Sequence, residues 1–177
     1  MRLLHALSKV TERIEQTVVI AGILLIMINS TANAIGRYAF GKSLFFSEEL
    51  NQFLIVAVTF VGFAYAVRKG RNIRMTALYD TFPLRLRKAV MILITLSTSL
   101  LLLFLAYQAV LYVAEIKAVN RLSPALQMPV YIVYAVIPVG LFMASLQFAI
   151  AFVTNLTHPD IWLSFEVTEG DSEDVGL

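Results

Sequence analysis

The sequence predicts an all-α membrane protein of four transmembrane helices, and three observations carry that prediction. Of 177 residues, 59% are apolar and 15% are charged, against about 25% charged in ordinary soluble domains. Mean hydropathy is +0.78, more apolar surface than a soluble domain of this size can hide. The charges are also not spread evenly. They leave stretches of 21 residues (16–36), 18 residues (50–67) and 26 residues (89–114), and a fourth between Arg121 and Asp160 whose continuous apolar part is Val130–Val153. At about 1.5 Å per residue each can cross roughly 30 Å of hydrocarbon. Helices are the form that satisfies the backbone within the segment. They are placed at about 14–36, 48–67, 89–114 and 130–154, in a membrane domain 1–159.

The first helix has the look of a signal peptide. Arg2, Lys9 and Arg13 precede an apolar run, and Ala32-Asn33-Ala34 resembles a cleavage site. Glu12 and Glu15 in the leading region, and Asn29 within the run, favour a retained helix. Asn29, Asn33 and Arg37 recur every four residues and share one face. Polar side chains in lipid turn toward protein, so this face is either glue within the chain or a partner interface. Gln147 in the fourth helix poses the same choice. Gly36 is expected to end the first helix.

Ser47-Glu48-Glu49 opens the second helix. Ser47 suits a cap, and both carboxylates face the positive helix end. One of them is a candidate partner for Arg37 or for another subunit. Gly62/Ala66, and Gly140/Ala144 in the fourth helix, are small pairs that permit close helix packing. Arg68, Lys69, Arg71 and Arg74 then form a basic knot. Met75, Leu78, Tyr79 and Phe82 follow at helical spacing, stopped by Pro83. With Arg85, Arg87 and Lys88 behind them, they read as a short amphipathic helix in the cytoplasmic interface with a basic anchor for anionic lipid. An ordinary cytoplasmic loop explains them equally well. Pro124 and Pro129 suit a rigid outer turn. The stretch 160–177 holds six acids and reads as an acidic cytoplasmic tail, partly disordered.

Lys and Arg set the orientation. With both termini inside, ten basic residues lie inside and four outside (Arg37, Lys42, Lys117, Arg121). The topology is therefore N-in and C-in. It places the sequon Asn155-Leu156-Thr157 on the cytoplasmic side, where it is not glycosylated.

Gly36-Arg-Tyr-Ala-Phe-Gly41-Lys42-Ser43 fits the P-loop pattern. A membrane helix stands where a buried strand is needed, and Arg37, Tyr38 and Phe40 fill positions that want small residues. Tyr38, Phe40, Phe45 and Phe46 read instead as an interfacial aromatic belt. There are no cysteines, which removes thiol catalysis, disulfides and Cys-ligated metals. No carboxylate, lysine or histidine lies within the four apolar stretches 16–36, 50–67, 89–114 and 130–153, so the acids of a proton relay and the facing histidines of a haem anchor are missing. HExxH and GxSxG do not occur. The expectation is no enzyme, no cofactor, no metal and no nucleic acid. An enzyme acting on lipid head groups would have to use loop residues such as Glu48, Glu49 and Arg71. The other alternative is a membrane anchor of a redox complex.

Arg37-Tyr38-Ala39-Phe40, Phe46-Ser47-Glu48-Glu49-Leu50, Gly62, and Arg68-Lys69-Gly70-Arg71-Asn72-Ile73-Arg74-Met75-Thr76 occur in that order. On these motifs the chain resembles the small membrane subunit (DctQ type) of the tripartite ATP-independent periplasmic (TRAP) transporters. Three positions depart from that family's pattern: Phe46 for Trp, Asn72 for His and Thr76 for Asp. The resemblance implies a scaffold role beside a large membrane subunit (DctM type) that carries substrate and sodium sites and moves as an elevator. It also implies a periplasmic substrate-binding protein delivering an organic acid, and a bacterial or archaeal cytoplasmic membrane. Candidate partner-interface residues are Asn29, Asn33, Arg37, Ser47, Glu48, Glu49, Gly62, Arg68 and Asn72. Candidate lipid-anchor residues are Arg85, Arg87 and Lys88.

Overall fold

The computed structural model describes residues 2–70, 81–164 and 167–168. It contains α1 (Arg2–Phe40), α2 (Ser47–Arg68), α3 (Leu84–Ala118), α4 (Val130–Tyr134) and α5 (Val136–Thr157). Among the described residues extended pairing is limited to two isolated bridges, Leu122 with Pro129 and Trp162 with Thr168. The described residues form an all-α architecture, and among them four stretches are long and apolar enough to cross a membrane: Val10–Phe40, Ser47–Arg68, Leu84–Ala118 and Val130–Thr157. Only 11–28% of the most apolar window of each is buried inside the chain. The apolar remainder needs a hydrocarbon or protein surround, which makes this a multi-pass membrane protein.

The helices run beyond the charge-free stretches. α1 has 39 residues and α3 has 35, because a helix does not stop where charge begins; it stops where the backbone is capped or broken. Gly36 does not end α1. Gly41 does, with φ of 65°, and the Lys42 N–H donates back to the Gly36 carbonyl at 3.1 Å. The left-handed conformation, cheap only for glycine, falls five residues later than the sequence spacing implies. Residues 37–40 are therefore helical, their N–H groups directed along the helix, and the P-loop pattern forms no phosphate cradle. The fourth span is interrupted at Ala135, between α4 and α5. Pro138 supplies the cause: it has no N–H to offer the Tyr134 carbonyl one turn back. The Met75–Tyr79 part of the expected interfacial helix lies outside the described residues.

Two compact units share these helices: Met1–Gly62 with Tyr107–Gly140, and Phe63–Ala106 with Leu141–Leu177. In the first, α1 and α2 form an antiparallel hairpin. Gly22 lies against the Val58 side chain, and a Cβ on Gly62 would meet Val19 at 3.6 Å. Also within this unit, Gly140 at the start of α5 sits on the backbone of Phe60; a Cβ there would lie 2.6 Å from the Phe60 carbonyl oxygen.

In the second unit Val67, Leu102 and Ala144 form a buried cluster with Phe63, Leu141 and Phe148 around it. Two serines stitch α3 to α5 reciprocally. Ser99 Oγ donates to the Ser145 carbonyl at 3.1 Å, and Ser145 Oγ donates to the Ser99 carbonyl at 2.9 Å. Small residues let the backbones approach, and the hydroxyls then reach across. We expect Ser99→Ala and Ser145→Ala each to cost about 0.6 kcal/mol, with the double variant less than additive, in a thermal-unfolding double-mutant cycle in detergent.

After α5 the chain turns back. Ile161, Leu163 and Ser164, where the acidic stretch begins, are buried, and the two apolar residues pack with Met91 and Val167. Asn155 anchors this strap. Its Oδ1 accepts from the Trp162 N–H at 2.9 Å, and its Nδ2 donates to the Trp162 carbonyl at 2.7 Å and to the Ala151 carbonyl at 2.8 Å. The sequon asparagine is fully buried and occupied.

Candidate functional site

The α1–α2 hairpin and the α3–α4 loop that meets it gather most of the sequence-selected residues of the first unit. Inside an apolar helix pair, a polar side chain must find its partners on the neighbouring helix. Asn29, buried, donates through Nδ2 to the Ser47 carbonyl at 2.9 Å and to Asn51 Oδ1 at 2.8 Å. Asn51 Nδ2 donates in turn to Ser30 Oγ at 2.9 Å. One turn further out, Asn33 Oδ1 accepts the Leu44 N–H at 2.7 Å, tying the hairpin tip to α1. Asn29 and Asn33 thus both find hydrogen-bond partners within the chain. Asn51 completes this network and was passed over by the sequence argument. An Asn on each helix near the same end of two antiparallel apolar runs is the signal that could have found it.

Arg37 lies exposed at the C-terminal end of α1. Its guanidinium sits over the Tyr38 ring, 4.9 Å from the centroid, and donates to the Tyr38 hydroxyl at 3.1 Å. Neither glutamate pairs with it. Glu48 is exposed. Glu49 turns to the loop between α3 and α4, where one oxygen, Oε2, accepts three hydrogen bonds: from Ser123 Oγ at 2.7 Å, from the Ala125 N–H at 3.0 Å and from the Leu126 N–H at 2.8 Å. The loop itself is closed by Ser123 N–H to the Met128 carbonyl (2.9 Å) and Val130 N–H to the Arg121 carbonyl (3.1 Å). Ser47 is buried and enters the hairpin through its carbonyl.

Elsewhere, Gly62 faces Val19, and Arg68 is buried at the end of α2. Asn72 lies outside the described residues. Of the basic trio, Arg85 is exposed, Arg87 is half-buried, and Lys88 donates its ammonium to the His158 carbonyl.

The motifs of this hairpin and the helices around it match a known family, described as tripartite ATP-independent periplasmic transporters, DctQ component, over residues 26–158. The chain belongs to the DctQ family. A curated relative, the ectoine TRAP transporter small permease protein TeaB of Halomonas elongata, is 41% identical over 168 residues, covering 95% of this chain and 87% of that protein. A second, the isethionate TRAP transporter permease protein DctMQ of Oleidesulfovibrio alaskensis, is 24% identical over 132 residues, covering 71% of this chain but 21% of that much longer protein. The chain is thus a small TRAP permease subunit of a transporter. The DctQ family is one of transport proteins, so the lipid-headgroup enzyme and the redox anchor both fall away.

Proposed function

We propose that this DctQ subunit is the scaffold of a sodium-driven uptake system, lying N-in and C-in in a bacterial or archaeal cytoplasmic membrane. Its partners in this reading are a large DctM-type subunit that carries the substrate and sodium sites, and a periplasmic binding protein that delivers an organic acid. The observation that carries the reading is the set of charge-free spans. Residues 16–36, 50–67, 89–114 and 130–154 contain no carboxylate, lysine or arginine, while ion-coupled carriers place such groups along their pathway. A subunit with an apolar interior and only 11–28% of its apolar windows buried is suited to holding another membrane protein in place. The relative whose name joins M and Q in one permease supports such a pairing. The two relatives are named for ectoine and isethionate, which is in keeping with a small organic solute as cargo. The short helix around Met75–Phe82 and the basic trio Arg85, Arg87 and Lys88 would anchor the inner face on anionic lipid. Asn72 and Arg68 would lie beside the large subunit there. Arg37 and Glu48 would be exposed to partners outside, the remaining hairpin residues supporting them.

Reconstitution tests this. The large subunit should copurify with the tagged chain. Proteoliposomes should take up solute only with both membrane subunits, the binding protein and an inward sodium gradient present. Uptake by this chain alone, or uptake indifferent to its omission, would sink the reading.

A further inference from the structure

Most of the circumference of α2 is covered by its own chain. Val58 lies against Gly22 and Gly62 near Val19 on the side of α1, and Gly140 sits on the backbone of Phe60. From Ser47 to Arg68 only four side chains are exposed: Glu48, Gln52, Ile55 and Thr59. Their spacing of four, three and four residues puts them in one narrow stripe. Three of the four are polar.

That is the reverse of what a lipid-facing stripe carries. Hydrocarbon offers no hydrogen bond, so polar side chains in a span turn toward protein. Asn51, the neighbour of Gln52, follows that rule inside the chain: its Oδ1 accepts from Asn29 and its Nδ2 donates to Ser30. Gln52 and Thr59 do not follow it. Among the described residues neither side chain has a hydrogen-bond partner, although both lie within the span Ser47–Arg68. Thr59 stands about 16 Å along the axis from Glu48, near the middle of the 22-residue helix. Half a turn away, Ala57 and Val61 line an apolar groove with Val18, Ile132 and Val139, which acyl chains suit. The two sides of α2 ask for different neighbours.

The depth of Thr59 rules out a water-soluble neighbour for the stripe and leaves another transmembrane helix. A second copy of this chain fits poorly. An isologous parallel pair sets Glu48 against Glu48, and like charges that face each other repel. A helix of a different chain can place a donor there.

That the large membrane subunit lies beside this chain is the scaffold reading above, on which the inference rests. We propose that Gln52 and Thr59, with Glu48 at the end of the stripe, are specificity-determining residues of that pairing. Their hydrogen bonds to one transmembrane helix of the large subunit fix which helix seats on α2 and in which register. The spacing suits a single helix crossing at about 20°, the geometry of a seam that repeats every 3.5 residues. Apolar packing alone tolerates sliding, because methyl groups meet methyl groups at many registers. A hydrogen-bonded amide does not.

The test uses the complete pair of membrane subunits in lipid vesicles, with association followed by energy transfer between fluorescent subunits. Gln52→Leu and Thr59→Val stay close in size and remove hydrogen bonding. Each should raise the dissociation constant of the pair about threefold, and the double variant about tenfold. Thermal unfolding of this chain alone in detergent should stay unchanged, which a structural role within the chain would not allow. Register is read by cross-linking. The chain has no cysteine, so Ile55→Cys places a single thiol in the stripe, to be paired with cysteines stepped along the helices of a cysteine-free large subunit. With Gln52 and Thr59 intact, one helix and one position should dominate. In the double variant the cross-links should spread to positions a turn away. Unchanged affinity, or cross-links as sharp in the double variant as without it, would overturn the proposal. So would cross-linking of Ile55→Cys to a second copy alone, or to no protein. If uptake is indifferent to this chain while the dominant cross-link persists, the scaffold reading fails and the pairing residues stand. If uptake needs this chain while cross-links arise only from its other faces, the pairing residues fail and the scaffold reading stands.

Discussion

Replacing Gly140 with alanine is expected to lower the stability of the subunit by about 2 kcal/mol, the scale of overpacking a closed contact. The Cβ would lie 2.6 Å from the Phe60 carbonyl oxygen and 2.9 Å from its carbonyl carbon. Those are backbone atoms of α2, so no side chain can rotate out of the way and the helices must part. Alanine does gain about 1 kcal/mol of helix propensity over glycine in water, but the steric term outweighs it. Gly62→Ala is the internal control. Its Cβ would meet Val19 at 3.6 Å, an ordinary contact, and its effect should stay within about 0.5 kcal/mol. Thermal unfolding of both variants in detergent reads the difference directly. A Gly140→Ala protein as stable as Gly62→Ala would show that the α2–α5 crossing is loose. Gly140→Leu should abolish folded protein.

Asn155→Leu is the second large effect. The side chain is wholly buried and makes three hydrogen bonds, two of them to the N–H and carbonyl of Trp162. Leucine fills the space and satisfies neither group. Leaving two partly buried backbone groups without partners costs about 2–4 kcal/mol in all. The loss is local: the strap from Ile161 should release from Met91 while α1 and α2 stay folded. The chain has one tryptophan, and it is Trp162, within the strap. Its emission should shift to the red in Asn155→Leu before any loss of helicity by circular dichroism. Coincident transitions by both probes would mean that the strap and the helices unfold as one.

The spans were legible because lipid enforces a simple rule: charge stops where hydrocarbon begins, so Glu15, Arg37, Glu49, Arg68, Lys88 and Glu115 bracket them. The family was legible because its motifs fall in order along one hairpin. The pairings were not. Asn29 announces itself as polar in an apolar run, but its choice of Asn51 and the Ser47 carbonyl depends on the rotation of two helices about their axes. Gly36 and Gly41 both fit a helix end, and only the backbone conformation distinguishes them. Glu49 reads as helix-start chemistry in one dimension; its three donors come from a loop beyond a whole intervening helix. Gly140 is marked by its spacing from Ala144, which predicts close packing but not that Phe60 supplies the carbonyl.

The Asn29–Asn51 network has a consequence for how the protein is made. Its hydrogen bonds join residues 18 to 22 positions apart, and the Asn33–Leu44 bond spans 11. A nascent chain can close the hairpin as soon as its second helix leaves the insertion machinery, with nothing further synthesised. The Glu49 contacts, 74 to 77 positions apart, must wait until the third helix and the loop after it have been made. During that interval the carboxylate faces water, its usual solvent, so the order of synthesis leaves no buried charge waiting for a partner. A ribosome stalled after α2 should already yield a protease-resistant helix pair, whereas the contact of Glu49 with the α3–α4 loop forms later.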